Sequence, residues 1–203
     1  MASNKNVEVA IPAIEIKMFT VKLVGDSPLI VHAWSEKAKK EMLDKQMKKA
    51  SKGKAAKDPF KDYVDSLYWL TEKPENPTQE DVQKAKFGFP SVAFKACAVS
   101  AAYRSGIVGN KVSTNSAFHI MGDMIEIIGT PEIREDMVRI AMTVDIRYRG
   151  EFKNWSANLN IRYNANAISM EQIINYLNLG GFGVGLGEWR AEKGGNFGMF
   201  HVE

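Results

Sequence analysis

The glycine-rich C-terminal segment is the first place where residue types and spacing suggest chemistry. Eight of the sixteen glycines lie between Gly180 and Gly198, together with Trp189, Arg190 and Lys193. Exposed backbone N–H groups beside two cations and an indole ring suit phosphates and a stacked base. Neither a G-x-G-x-x-G spacing nor a G-x-x-x-x-G-K-[ST] loop is present, which argues against a dinucleotide or nucleotide fingerprint. A turn that only serves backbone geometry is the alternative interpretation.

A predicted β-hairpin is the second candidate site. Two runs that alternate apolar and polar residues, 137–149 and 157–163, predict strands joined by a loop at 150–156. The polar face and the loop of this hairpin gather basic, amide and aromatic side chains: Arg147, Arg149, Asn158, Asn160, Arg162, Phe152, Lys153 and Trp155. Basic groups interleaved with aromatic rings on an open sheet favour single-stranded nucleic acid. An ordinary solvated strand face is the alternative.

The charge of the chain is unevenly distributed. The formal net charge is only +3, yet residues 37–61 contain ten lysines and three acidic residues, so the remainder is net negative. Few apolar residues accompany these lysines, which favours an exposed arm or insertion over a core helix. Lysines suit point-charge contact with a phosphate backbone, and the candidate residues are Lys48, Lys49, Lys52 and Lys54. A solvated lysine-rich face is the alternative.

Candidate catalytic and metal-binding residues are few. The three histidines lie far apart in the sequence, and the single cysteine, Cys97, excludes a disulfide framework or a cysteine-based zinc site. His32 follows Ser27-Pro28-Leu29 at a predicted strand-to-loop junction, where it could serve as the general acid or base of an RNA-cleaving enzyme. A partly exposed structural histidine is the alternative. We therefore predict no cofactor and no metal, and we expect a non-catalytic protein unless His32 acts in a nuclease.

The predicted elements follow the order strand, helix, strand, strand, helix, strand, with insertions. They comprise strand 14–24, a short amphipathic helix at 62–70, a helix capped by Ser91 that runs to Tyr103, strands 124–128, 137–149 and 157–163, a helix from Ser169 to about Leu179, and strand 197–202. This order predicts an α+β fold of the ferredoxin-like, split βαβ kind, with an antiparallel sheet. We expect a single domain over residues 1–203, with a lysine-rich insertion at about 36–88.

The hydropathy of the chain bears on its location. No apolar run reaches the roughly 18 residues that a membrane span requires. The N-terminal residues also lack the apolar stretch of a signal peptide. The sequence therefore predicts a soluble protein of the cytoplasm with no membrane partner.

Three segments, in this order, resemble the RAMP superfamily, which supplies backbone and processing subunits of CRISPR effector complexes. Residues 27–30 (SPLI) are similar to the S-P-L motif at the end of that family's first strand. Residues 89–95 (FPSVAFK) resemble its P-x-S-x-x-K helix opening, and residues 185–198 are similar to its C-terminal glycine-rich loop. The resemblance implies an RRM-like fold that binds RNA, often as a repeated subunit along a guide strand. It also implies that Lys95, Arg190 and Lys193 contact RNA.

From these observations we predict a non-catalytic protein that binds single-stranded nucleic acid, RNA more than DNA, and self-associates or joins a nucleoprotein complex. Lysines would attract the phosphates, and Trp155, Trp189 and Phe152 would stack on bases. One alternative is a metal-independent endoribonuclease that uses His32. Others are a phage or mobile-element protein that copies the fold to dock into or inhibit a nucleoprotein complex, and a protein that anneals single-stranded DNA.

Overall fold

The computed structural model describes residues 13–34, 36–49, 56–140 and 143–203. Within these residues the strands are β1 (Ile16–Gly25), β2 (Leu29–Val31), β3 (Phe87–Pro90), β4 (Phe118–Ile120), β5 (Met124–Ile128), β6 (Pro131–Ile140), β7 (Thr143–Phe152), β8 (Ser156–Asn164) and β9 (Phe200–Val202). The helices are α1 (Glu36–Gln46), α2 (Pro59–Ser66), α3 (Gln79–Lys84), α4 (Ser91–Arg104), α5 (Lys111–Ala117) and α6 (Met170–Gly183). The chain is thus α+β with antiparallel sheets, as the sequence predicts at that level.

The larger sheet has the strand order β3-β5-β8-β1-β9, and β4 also pairs with β8. Strand β8 pairs with β1 along the whole length from Ile16↔Asn164 to Val24↔Ser156. Alternate residues of β8, such as Leu159 and Ile161, are fully buried, while the residues between them face solvent. The sequence predictions for β1, β5 and β8 are confirmed, with small differences at the strand ends.

Helices α4 and α6 pack against each other and cover one face of this sheet. Their close approach depends on small residues, because a Cβ on Gly180 of α6 would lie 3.0 Å from Sγ of Cys97 in α4. Ser169 caps the start of α6, as the sequence predicts, and it does so through a capping box with Gln172. The predicted N-cap role of Ser91 is wrong, since α4 begins at Ser91 itself and its cap residue, Pro90, offers no side-chain hydrogen bond.

A second, three-stranded sheet has the order β2-β7-β6. Helix α2 is fixed to it by buried hydrogen bonds. The backbone N–H of Gly150 donates to Oγ of Ser66 at 2.8 Å, and the hydroxyl of Tyr63 donates to the carbonyl oxygen of Pro131 at 2.9 Å. Helix α2 begins after the cap residue Asp58, earlier than the predicted helix at 62–70.

The predicted single strand at 137–149 is wrong, because this stretch contains parts of two strands, β6 and β7, paired with each other. An alternating pattern continues through the reversal, and no Gly, Pro or Asn marks it. The reversal nevertheless changes which residues share a face of the sheet. An unbroken strand would place Val138 and Ile146 on one face, but Val138 lies opposite Asp145 and Ile146 lies opposite Met137, so the two are on different faces. The residues at 141–142 lie outside the described part of the chain.

The predicted pairing of 137–149 with 157–163 is also wrong. Strand β7 belongs to the three-stranded sheet, and β8 lies between β1 and β5 in the larger one. Arg147 and Arg149 therefore do not share a face with Asn158, Asn160 and Arg162.

In the described part of the lysine-rich block, residues up to Gln46 belong to the exposed helix α1, and residues from Pro59 belong to α2. Lys48 and Lys49 follow α1 and are exposed, and Lys49 forms an ion pair with Asp44 at 3.0 Å. Lys52 and Lys54 lie outside the described residues. No helix in the described part of the chain is long and apolar enough to cross a membrane.

Candidate functional site

The glycine-rich loop, residues 183–198, lies against the segment 27–31 that follows β1. The backbone N–H of Gly198 donates to the carbonyl oxygen of Pro28 at 2.8 Å, and that of Glu188 donates to the carbonyl oxygen of Ile30 at 2.9 Å. One residue beyond the loop, the N–H of Met199 donates to Oγ of Ser27 at 2.9 Å. Two segments far apart in the sequence are thus joined by direct backbone hydrogen bonds.

Gly187 shows why this loop needs glycine. Its φ of +72° lies in the left-handed region, and a Cβ there would overlap the carbonyl oxygen of Ile30. Only glycine combines this conformation with so close a backbone approach. The predicted alternative, that the glycines serve backbone geometry, therefore explains this position.

A cleft of about 460 Å³, here called the central cleft, opens where this loop meets α4. Two of the three segments that carry the RAMP resemblance line it, 89–95 through Phe89 and Ala93 and 185–198 through its first half. Segment 27–30 does not line it and is joined to the glycine-rich loop by backbone hydrogen bonds. Its polar and aromatic lining residues are His32, Tyr68, Phe89, Ser100, Lys111, Asn115, Glu188, Arg190 and Glu192. The cleft therefore combines backbone from a glycine-rich loop with side chains of both charges.

A second cleft, of about 580 Å³ and here called the side cleft, lies between α2 and β7. Its polar and aromatic lining residues are His32, Trp34, Lys57, Asp62, Asp65, Ser66, Asp145, Arg147 and Tyr148. His32 lines both clefts, so the two adjoin at this residue, and together they are here called the groove.

His32 is held at this junction by α2 and the glycine-rich loop. The next residue, Ala33, donates its N–H to the carbonyl oxygen of Ser66 at 2.7 Å, and Nδ1 of His32 lies 3.9 Å from a carboxylate oxygen of Glu188. Burial lowers the pKa of His32 below its ordinary value of 6.5, and the nearby positive charge of Arg149 lowers it further. The imidazole is therefore mainly neutral at pH 7 and able to accept a proton.

A buried network of charges supports the groove from the side of the β6–β7 hairpin. Arg149, whose side chain is 4% exposed, donates to Asp136 at 3.2 Å, and Asp136 also accepts from Nε of Arg134 at 2.9 Å. Arg149 lies 3.9 Å from Glu188 of the glycine-rich loop, and the guanidinium of Arg134 lies 4.6 Å from the ring centre of Phe197. These contacts attach the loop to the hairpin.

The predicted residues of the glycine-rich loop differ in their accessibility. Trp189 is 43% exposed with a φ of +52°, and Lys193 is exposed. Arg190 is half-buried and donates to Glu192 from both Nε, at 3.1 Å, and Nη2, at 2.9 Å. The carboxyl pKa of Glu192 is lowered because Arg190 donates hydrogen bonds to it and Arg104 lies close by. Arg190 therefore has a structural partner already.

Several predicted hairpin residues are not placed to contact a ligand. Phe152 is fully buried, and Trp155 is 4% exposed with its indole N–H donating to the carbonyl oxygen of Ser27 at 2.9 Å. The predicted stacking of bases on these two rings is wrong, because both belong to the core. Arg149 is buried in the network described above, and Lys153 is exposed but donates to Glu132 at 2.6 Å.

The open face of the larger sheet carries Asn158, Asn160 and Arg162, which are exposed as predicted. Arg162 lies opposite Met18 on one side and His119 on the other. Among the described residues this face has no Phe, Tyr or Trp, so it lacks the rings on which bases stack in RRM-type recognition. Lys95 faces this edge of the fold rather than the groove, with Nζ 3.3 Å from Nδ1 of His119.

Cys97 is a core residue. It is 3% exposed, and burial raises its pKa to about 12, so the thiol stays protonated. Among the described residues, no group of three or more His, Cys, Asp or Glu side chains is arranged to hold a metal ion.

The sequence analysis missed the groove residues Trp34, Lys57 and Lys111. Trp34 is 56% exposed and comes two residues after His32, immediately before the lysine-rich block. An exposed tryptophan next to a basic segment was the available signal. Lys57 reaches the site only because α2 brings it to Asp145, with which it forms an ion pair, and nothing in the sequence indicates that contact.

Comparison with known proteins adds no assignment. No protein-family model matches the chain, and no curated protein matches it in sequence.

Proposed function

We propose that this protein binds single-stranded nucleic acid, RNA in preference to DNA, in the groove formed by the central and side clefts. The observation that carries the proposal is that the start of α4 and the glycine-rich loop line one cleft, while segment 27–31 is hydrogen-bonded to that loop. These are the segments on which the resemblance to the RAMP superfamily rests. Three weak motifs that meet at one place argue more strongly together than each does alone.

The side cleft offers a ring and two cations to a single-stranded ligand, within a lining in which Asp62, Asp65 and Asp145 outnumber those cations. Trp34 offers an exposed ring for stacking, and Arg147 and Lys57 offer cations beside it. Arg147 lies 3.7 Å from Asp145, which Lys57 also contacts. A bound phosphate would therefore compete with this carboxylate for its cations, and binding should weaken strongly with added salt.

The strand order supports a ferredoxin-like arrangement of the larger sheet. Strands β5, β8, β1 and β9 lie side by side in that order, with α4 between β1 and β5 in sequence and α6 between β8 and β9. This is the order of a split βαβ fold. We include it in the proposal, together with membership of a RAMP-like group. Assembly of several copies along one strand stays a prediction.

The test compares two groove variants with a matched control. Arg147→Gln should lower the affinity for a single-stranded RNA oligonucleotide and reduce the salt slope by about one unit. Trp34→Ala should lower the affinity about tenfold through lost stacking. Arg139→Gln is the control. It removes one positive charge from the same hairpin, but Arg139 lies on the other face of the hairpin and outside both clefts.

Fluorescence anisotropy with labelled oligonucleotides measures all three variants. The proposal predicts weaker binding for Arg147→Gln and Trp34→Ala, with Arg139→Gln close to the unchanged protein. Equal losses for Arg147→Gln and Arg139→Gln would indicate attraction by net charge alone and would contradict a binding groove.

A second candidate function is metal-independent RNA cleavage, which the position of His32 favours. Its imidazole lies at the junction of the two clefts, is mainly neutral and lies 3.9 Å from Glu188. A neutral imidazole can take a proton from a ribose 2′-hydroxyl as a general base. Cleavage of RNA that persists in a chelator and disappears in His32→Ala would establish this activity, and intact RNA would exclude it.

A further inference from the structure

Strand β1 has an unpaired edge. It pairs with β8 from Ile16 to Val24, but on its other side β9 covers only Leu23, Val24 and Gly25. Within the described residues, the edge from Ile16 to Val21 pairs with no other strand. An exposed strand edge is a template for pairing with another chain.

The hydrogen bonds at both ends of β1 show which residues direct their backbone groups outward. The carbonyl oxygen of Glu15 accepts from Ala165, on the β8 side, whereas that of Lys22 accepts from Glu203, on the β9 side. Successive residues of a strand alternate between its two edges. The N–H and C=O groups of Ile16, Met18 and Thr20 therefore point to the unpaired edge.

The side chains along this edge lack the features that usually prevent pairing. The strand contains no proline and no bulge, and Met18 is 64% exposed. Its two lysines already have partners on the same chain: Lys17 pairs with Glu15 at 2.9 Å, and Lys22 pairs with Glu203. Positive charge, which protects many natural edges, is locally neutralised here.

Hydrogen-bond geometry restricts how two such edges could pair. Only the even-numbered residues of β1 direct their backbone groups to the unpaired edge, so two facing residues are both even-numbered or both odd-numbered. In a two-fold antiparallel pair the axis must therefore pass beside a residue and not between two consecutive residues. A centre at residue 17 would place the two Lys17 side chains directly opposite each other, which is unfavourable. A centre at residue 19 would need the carbonyl oxygen of Lys22, which Glu203 already occupies. A centre at Met18 avoids the facing lysines and leaves Lys22 outside the hydrogen-bonded pairs. Residue 14 of the second copy then comes opposite Lys22, so that chain must leave the sheet before Glu203.

From this geometry we propose that two copies of the chain pair through their β1 edges, with the two-fold axis beside Met18. Met18 then faces Met18 of the second copy, and Ile16 faces its Thr20. Three hydrogen-bonded residue pairs give about six backbone hydrogen bonds, and the two larger sheets become one continuous sheet. The interface is closed and two-fold, so it yields a dimer rather than a filament. It does not depend on the proposed binding of nucleic acid.

A charge-swap experiment at Met18 tests this pairing. Met18→Lys and Met18→Glu each place like charges opposite each other across the axis, so each should raise the dimer dissociation constant about tenfold or more. An equimolar mixture of the two variants places opposite charges together and should restore the dimer. The side chain is exposed, so neither variant should affect folding. Val112→Lys, at an exposed apolar residue of α5, is the matched control and should leave the dimer unchanged.

Sedimentation velocity over a range of protein concentrations measures these equilibria, and circular dichroism checks that each variant is folded. The expected result is a concentration-dependent dimer for the unchanged protein and for Val112→Lys, monomers for each Met18 variant, and a dimer for their mixture. A monomeric unchanged protein would overturn the proposal. So would a dimer that persists in both Met18 variants, or a mixture that stays monomeric.

Discussion

Replacing Gly187 by alanine should disrupt the attachment of the glycine-rich loop to the segment after β1. The left-handed conformation alone costs an alanine about 1–2 kcal/mol. At Gly187 the new Cβ would also overlap the carbonyl oxygen of Ile30, the acceptor for the N–H of Glu188. If the loop moved to relieve that overlap, the hydrogen bond from Glu188 to Ile30 would be lost, which costs about 1 kcal/mol. The neighbouring residues would also have to repack, which costs about 1–3 kcal/mol. We expect a total loss of about 3–6 kcal/mol.

Gly194→Ala provides the matched control for this prediction. Gly194 has a φ of +80°, but a Cβ there meets no atom within 4 Å. It should therefore lose only the conformational part, about 1–2 kcal/mol. The free energies of unfolding, measured by urea denaturation, should differ between the two variants by about 2–4 kcal/mol, with Gly187→Ala the less stable. Equal losses would refute the reasoning, because the close approach to Ile30 would then contribute nothing.

Three further predictions concern Arg149, Trp155 and His32. Arg149→Met should lower the free energy of unfolding in urea by about 3 kcal/mol, because Asp136 keeps its burial but loses one of its cations; an unchanged stability would contradict the network. Trp155→Phe should lose the hydrogen bond to Ser27 and part of the ring packing against Phe200, about 2 kcal/mol or more in the same assay, without changing oligonucleotide affinity, and a loss of affinity would show that the indole is accessible. Because the pKa of His32 is lowered in the folded protein, the unfolded chain takes up a proton on this residue at a higher pH than the folded chain does. Stability should therefore fall as the pH drops below about 6.5, and His32→Gln should flatten that dependence; a parallel profile would assign it to other groups.

Strands β1, β5 and β8 and helices α4 and α6 could be predicted from local patterns. Strand β8 alternates apolar and polar residues because one face packs on α4 and α6 and the other faces solvent. The capping box at Ser169 fixed the start of α6 for a purely local reason. Such signals depend on neighbours in the sequence, so one chain is enough to read them.

The arrangement of the hairpin could not be predicted in this way. Alternation reports which residues share a strand face, but it does not identify the partner strand, so β7 was assigned to the wrong sheet. The predicted exposure of Trp155 was also wrong. A tryptophan in a predicted loop can lie in the core when its N–H finds an acceptor, and the indole N–H of Trp155 donates to the carbonyl oxygen of Ser27. The groove itself depends on contacts between 27–31 and 185–198, which are distant in the sequence.

Binding of labelled single-stranded RNA, single-stranded DNA and duplex DNA to the unchanged protein tests the central claim most directly. Fluorescence anisotropy at two salt concentrations gives both the affinity and its salt dependence. The account predicts binding to single strands, tighter for RNA than for DNA, that weakens as salt is raised. No binding to any of these oligonucleotides at low salt would contradict it.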